Sequence, residues 1–131
     1  MRDRLTRPLR RRRFASAVDG RARIRINVGA GSTRLDGWLN TDVGGRAPYY
    51  LDATKPWPVA PCSVAFIYAD NMLEHVKLEE ARAFLRHAYA ALEPGDLIRI
   101  ATPDVEGTAQ NTWSGTAVTA TASIIASTCS T

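Results

Sequence analysis

Ile24, Ile26 and Val28 alternate with Arg23, Arg25 and Asn27. That period of two predicts a strand with one buried face. A glycine turn over 29–37 follows, and residues 38–42, Trp-Leu-Asn-Thr-Asp, read as a short second strand. Gly44-Gly45 breaks it, and residues 49–52, Tyr-Tyr-Leu-Asp, form a candidate third strand. Pro56, Pro58 and Pro61 enforce a loop around Trp57. Residues 63–69 are a near-continuous apolar run, as expected of a fourth, parallel strand covered on both faces. From 78 to 92 the period lengthens. Ala81, Phe84, Leu85, Ala88 and Leu92 share one helical face, Glu79 and Glu80 favour the helix start, and Pro94-Gly95 is expected to end the helix. Residues 97–101 supply a fifth strand, closed by Pro103. Strands alternating with a helix and short turns predict an α/β parallel sheet.

Both ends of the chain differ from this middle. Residues 1–25 hold ten arginines against two aspartates, while the remainder holds seven Lys/Arg against eleven Asp/Glu. The formal charge of +4 is therefore a local basic excess around Arg10, Arg11, Arg12 and Arg13. A solvated arm or a short helix over the sheet edge accounts for it. Nucleic-acid, membrane-surface or targeting roles are the sharper readings. Phe14 is the only aromatic among these arginines, which weakens a single-strand nucleic-acid role. Residues 107–131 carry no charge and are dominated by Ser, Thr and Ala, so a poorly ordered tail is expected. The expected organisation is a basic leader at 1–21, one domain at 22–106 and the tail at 107–131. The chain is long enough for one modest domain.

No apolar run approaches the ~20 residues of a bilayer span, and no signal-peptide core follows the basic start. Cys62 and Cys129 are far apart and match no metal spacing, so neither a disulfide nor a zinc site is expected. A cytoplasmic location fits these features.

The candidate chemistry lies at Gly29-Ala30-Gly31 and Asp42. A strand, a glycine turn and a downstream acid suit a nucleoside-containing cofactor, because glycine admits close backbone approach and a carboxylate accepts from ribose hydroxyls. A dinucleotide site would place a third glycine where Arg34 stands, and an acid later than Asp42. Both departures argue against it. The glycines could equally make a plain tight turn, and Asp42 and Asp52 could be loop acids or caps.

Residues 25–104 resemble the Rossmann-like S-adenosylmethionine-dependent methyltransferases, especially the methyltransferase type 11 group. The resemblance is carried by Ile26-Asn27-Val28-Gly29-Ala30-Gly31, Gly37-Trp38-Leu39-Asn40-Thr41-Asp42 and Leu51-Asp52-Ala53-Thr54-Lys55-Pro56. Asn71-Met72-Leu73-Glu74-His75, Leu92-Glu93-Pro94-Gly95 and Thr102-Pro103-Asp104 follow in order. It implies an open, mostly parallel sheet with flanking helices, and S-adenosyl-L-methionine as cofactor. Gly29, Ala30 and Gly31 would turn beneath its methionyl part, and Asp42 would bind the ribose. Asp52 would lie near the adenine amine, with Asn71 and Met72 bordering adenine or sulfonium. His75, oriented by Glu74, is the candidate base, or else a Glu-His pair that caps the next helix. No metal is implied. The expected activity is methyl transfer to a small-molecule acceptor. The alternatives are an inactive cofactor-binding remnant and a nucleic-acid module acting through Arg10–Arg13. The family carries two further strands after the fifth. With the Ser/Thr/Ala tail in their place, a truncated or frameshifted product with an exposed fifth-strand edge is expected.

Overall fold

The computed structural model describes residues 2–103 and 119–127. The elements are α1 (Arg2–Val18), β1 (Ile24–Val28), β2 (Leu39–Asp42), β3 (Tyr49–Tyr50) and β4 (Val64–Asp70). A 3-10 turn (Leu73–His75), α2 (Leu78–Ala91), β5 (Leu92–Pro103) and β6 (Thr119–Ile125) follow. The strands form one sheet in the order β3-β2-β1-β4-β5-β6. The first five run parallel and β6 pairs antiparallel to β5. The strand order reverses between β1 and β4, which places the ligand-binding crevice of an open α/β sheet at the strand C-terminal ends there.

One sheet face carries the core. Ile24, Ile26 and Val28 of β1, Ile67 and Ala69 of β4, and Ile98 and Ile100 of β5 are buried with Phe14, Trp57 and Phe84. The opposite face is only partly covered. Trp38 packs edge-on against Phe66 at 5.0 Å and Tyr68 at 6.5 Å, so the β4 run expected to be buried on both faces is half-buried on this one. Asn27 and Asn40 are also buried. Asn40 accepts from Asn27 Nδ2 and Leu35 N, both at 2.9 Å, and donates to Leu35 O and Trp38 O, both at 3.1 Å. This amide folds the β1–β2 connection without a helix.

The basic leader is a helix against β3, and it contributes Phe14 and Val18 to the core. Arg10 departs from the solvated reading of its run, being 5% exposed whereas Arg11, Arg12 and Arg13 are exposed. Its Nε donates to Ala47 O at 2.9 Å, and its Nη2 reaches Asp42 O at 3.0 Å, Tyr49 O at 3.4 Å and Gly44 O.

Three further expectations are corrected. The helix stops at Ala91, and Pro94-Gly95 lie inside β5. The ladder there skips from Val64↔Leu92 to Phe66↔Leu97, so the proline, which lacks an N–H, sits in the irregularity. The tail is not structureless throughout, because Thr119–Ile125 pairs with Leu97–Pro103 and covers the β5 edge. The rest of the expected tail, 107–118 and 128–131, lies outside the described residues. Cys62 is disulfide-bonded, and the chain's other cysteine, Cys129, lies outside the described residues. Sequence separation says nothing about spatial approach, and the cysteines thus give no support to a reducing compartment. Among the described residues no helix is long and apolar enough to cross a membrane.

Arg10→Lys is expected to destabilise the fold by ~1–3 kcal/mol in urea unfolding, since a point ammonium cannot reproduce the planar fork. Arg12→Lys, on the exposed side of the same helix, should change stability by no more than ~0.5 kcal/mol. Burial, then the charge of Arg86, holds His87 below a histidine's ordinary pKa. The unfolded chain therefore takes up its proton first. Stability present above about pH 6.5 is lost as pH falls through the unfolded and then the folded value. His87→Gln should flatten that acid limb of the stability profile.

Candidate functional site

The C-terminal ends of β1 to β4 converge on a cavity of about 300 Å³, at the lower end of the range for small-molecule sites. β1 leaves the sheet through Gly29 and Gly31, at φ +66° and +55°. These left-handed values favour glycine. At Gly29 a second constraint applies, because a Cβ there would stand 2.6 Å from Met72 Cγ. The Ala30 N–H donates to Thr41 O at 2.9 Å, and the Gly31 N–H donates to Asp42 Oδ2 at 2.8 Å. The turn is thereby tied to the end of β2.

Asp42 Oδ1 accepts from Gly44 N at 2.6 Å. One carboxylate thus holds two turns. A carboxylate has about four lone-pair sites, so capacity remains for further donors. Beyond β3, Asp52 Oδ1 accepts from Thr54 N at 3.1 Å and Thr54 Oγ1 at 2.7 Å, while Oδ2 carries no bond among the described residues. After β4, Asn71 takes φ +49° and donates its N–H to Ala101 O at 2.9 Å. Met72 then opens the 3-10 turn whose end is His75.

Gly29, Asp42, Asp52, Asn71, Met72 and His75 all line this cavity, whereas Ala30 and Gly31 do not. His75 is on the rim, its side chain 75% exposed, with Nε2 3.8 Å from Glu74 Oε1. That separation is too long for the orienting hydrogen bond expected from Glu74. Sequence reasoning missed the apolar walls, Val43, Leu51, Ala53 and Val76. Val43 is 52% exposed. Each of the first three adjoins one of the two acids, and that adjacency was the available signal.

Among the described residues the cavity lining contains two carboxylates and no lysine or arginine. Arg34, which replaces the third glycine of a dinucleotide fingerprint, points its guanidinium at loop carbonyls of Gly31, Thr33 and Arg46. Nothing at this site therefore offers a cation to a pyrophosphate.

No protein-family model matches the sequence, and no curated protein matches it. Solved structures match the fold. A Methanococcus maripaludis protein described as an S-adenosyl-L-methionine-dependent methyltransferase superposes with a TM-score of 0.53 at 11% identity, covering 86% of this chain and 68% of that one. A chain from the complex of the Haloferax volcanii Trm112 methyltransferase activator with its methyltransferase gives 0.48 at 14% identity, covering 77% and 56%. The [4+2]-cyclase SpnF gives 0.49 at 17% identity, covering 76% and 44%. The chain spans about half the length of the Haloferax and SpnF chains. The fold is the Rossmann-like fold of the S-adenosylmethionine-dependent methyltransferases.

Gly29→Ala should lower stability by ~1–3 kcal/mol, combining a left-handed φ with overpacking on Met72. Adding Met72→Ala should return part of that loss relative to Met72→Ala alone. A double-mutant cycle in urea that shows strict additivity would contradict the contact.

Proposed function

We propose that this cavity binds S-adenosyl-L-methionine and that the chain transfers its methyl group to a small-molecule acceptor. The observation that carries the reading is a switch-point cavity bounded, among the described residues, by two carboxylates and no lysine or arginine. Such a lining suits a cationic sulfonium and repels phosphate-linked cofactors. The residues fit the group in three respects. Asp42 keeps acceptor capacity for ribose hydroxyls. The unbonded Oδ2 of Asp52 suits an exocyclic amine. Gly29 makes the turn on the cavity lining at φ +66°, where a side chain would push Met72 off its wall.

When bound, the cofactor supplies a methyl group already made electrophilic by its sulfonium. The protein's part is alignment and exclusion of water. Val43, Leu51 and Val76 provide apolar walls, and Met72, braced against Gly29, gives one wall a fixed position. His75, on the rim beside Val76, is our candidate to take a proton from an incoming acceptor. Histidine is the side chain suited to that step near neutrality. Transfer to a nucleophile that carries no proton would need no base at all.

Calorimetric titration of the intact chain with S-adenosyl-L-methionine should give one-to-one binding. Asp42→Ala, checked for folding by circular dichroism, should weaken it by ~1–3 kcal/mol. Absence of heat at millimolar cofactor would overturn the reading. In a labelled-methyl assay, His75→Gln should leave cofactor affinity unchanged and lower turnover by ~10²-fold or more. A change below about threefold would assign His75 to the rim alone.

A further inference from the structure

We propose that a second site, specific for the phosphate group of a small phosphorylated molecule, lies beside the cavity where α1 crosses the loop after β3. A cleft of about 130 Å³ opens there between Arg7 and Arg11 of α1 and Lys55 of the loop. Arg7 and Arg11 are four residues apart, so they share a helix face. Lys55 comes from a separate element. A helix-borne charge run explains two arginines on one face, but it does not explain a third cation brought opposite them by a different part of the chain. None of the three enters an ion pair among the described residues. Among the described residues their only acidic neighbour in the cleft is Asp52. Three cations thus face one carboxylate, an excess of positive charge that a dianion would balance.

The site is also held in shape. The Arg7 guanidinium lies 4.5 Å from the ring centroid of Tyr50, which is buried in the sheet edge. Cation–π stacking of this kind orients the fork without consuming its donors. α1 cannot swing away, because Arg10, one turn further on, is fastened to the β2–β3 carbonyls. Pro56 and Pro58 stiffen the opposite wall. Arginine forks match phosphate oxygens, and Lys55 adds a movable point charge.

The size of the cleft suits a phosphate and the start of its carrier, being well below the ~300 Å³ at which whole-ligand pockets begin. Nucleic-acid backbone offers the same group, but single strands are usually gripped by stacking their bases on aromatic rings. The one aromatic ring in this cleft is already covered by Arg7. Leu51 and Asp52 border both cleft and cavity, so the anion site adjoins the acidic site while remaining outside it.

The test uses the intact chain without added cofactor, so its failure leaves the methyl-donor reading untouched. Inorganic phosphate and pyrophosphate are titrated calorimetrically at constant ionic strength. One-to-one saturation is expected, with Arg7→Gln and Lys55→Gln each weakening it about tenfold, as loss of one charge-assisted hydrogen bond does. Arg12→Gln makes the same charge change on the same helix but outside the cleft, and should alter affinity less than about twofold. Equal loss in Arg12→Gln would overturn the site in favour of general attraction to a basic helix. Absence of saturable binding in the wild-type chain would overturn it outright. So would a single-stranded RNA oligomer that binds with a steep salt dependence while inorganic phosphate fails to compete. Lys55 lies in an exposed loop, so its variant tests the cleft even where Arg7→Gln disturbs α1.

Discussion

The β2–β3 connection creates the constraint on which the rest of this structure turns. Six residues separate Asp42 from Tyr49, too few for a helix, and Ala47 within them is buried. Carbonyls at Asp42, Gly44, Ala47 and Tyr49 lie within reach of one side chain. Buried carbonyls need donors. A single guanidinium, Arg10, supplies them all from another element. The consequence reaches in two directions. Toward the N-terminus it fixes α1, whose Phe14 and Val18 then complete the core. Toward the site it fixes the backbone of Asp42, whose side chain defines the cavity floor. A lysine would present one charge to a cluster that needs a planar fork, and a leucine would leave the carbonyls unpaired.

The same economy governs the β1–β2 connection. A doubly wound sheet ordinarily places a helix there, and its backbone bonds would be internal. Here ten residues must satisfy themselves differently. Asn40 does much of this with its amide, and Arg34 adds bonds to Gly31 O and Thr33 O. Asp42 closes the arrangement by accepting from Gly31 and Gly44. The structural demands and the binding role proposed for this residue therefore meet on one carboxylate. Its substitution removes two turn anchors along with any ligand contact, so binding losses at Asp42 have to be read beside a stability measurement.

Much of this was legible in the sequence, and the exceptions share a cause. Strand periodicity located β1, β2, β4 and β5 because each alternation or apolar run reflects a face buried by its own neighbours. The joint placement of Gly29, Asp42, Asp52 and Met72 followed from strand ends meeting at a switch point. Arg10 was not legible, since nothing local separates it from Arg11, Arg12 and Arg13. Only the position of distant carbonyls does so. β6 escaped notice for a related reason. Thr119–Ile125 has little apolar alternation, and what makes it a strand is the unpaired edge of β5, which supplies the hydrogen bonds. Pro94-Gly95, expected to end the helix, lies instead within β5. The helix had already ended when Leu92 turned to extended backbone, at ψ 137°.

The distribution of charge is the last piece, and sequence totals conceal it. The formal +4 suggests a uniformly basic chain, yet the cavity lining is acidic and the basic groups are elsewhere. Arg10 and Arg34 are hydrogen-bonded to backbone carbonyls, and Arg23 pairs with Glu93 and Asp96 at 2.9 and 3.2 Å. What remains unbalanced near the cavity is Arg7, Arg11 and Lys55, separated from the cavity by the Leu51-Asp52 segment. Asp52 borders both sides, its Oδ1 held by the N–H and the hydroxyl of Thr54. The contrast between an acidic cavity and a basic cleft thus comes from which residues line each side of one segment, with no contribution from net charge.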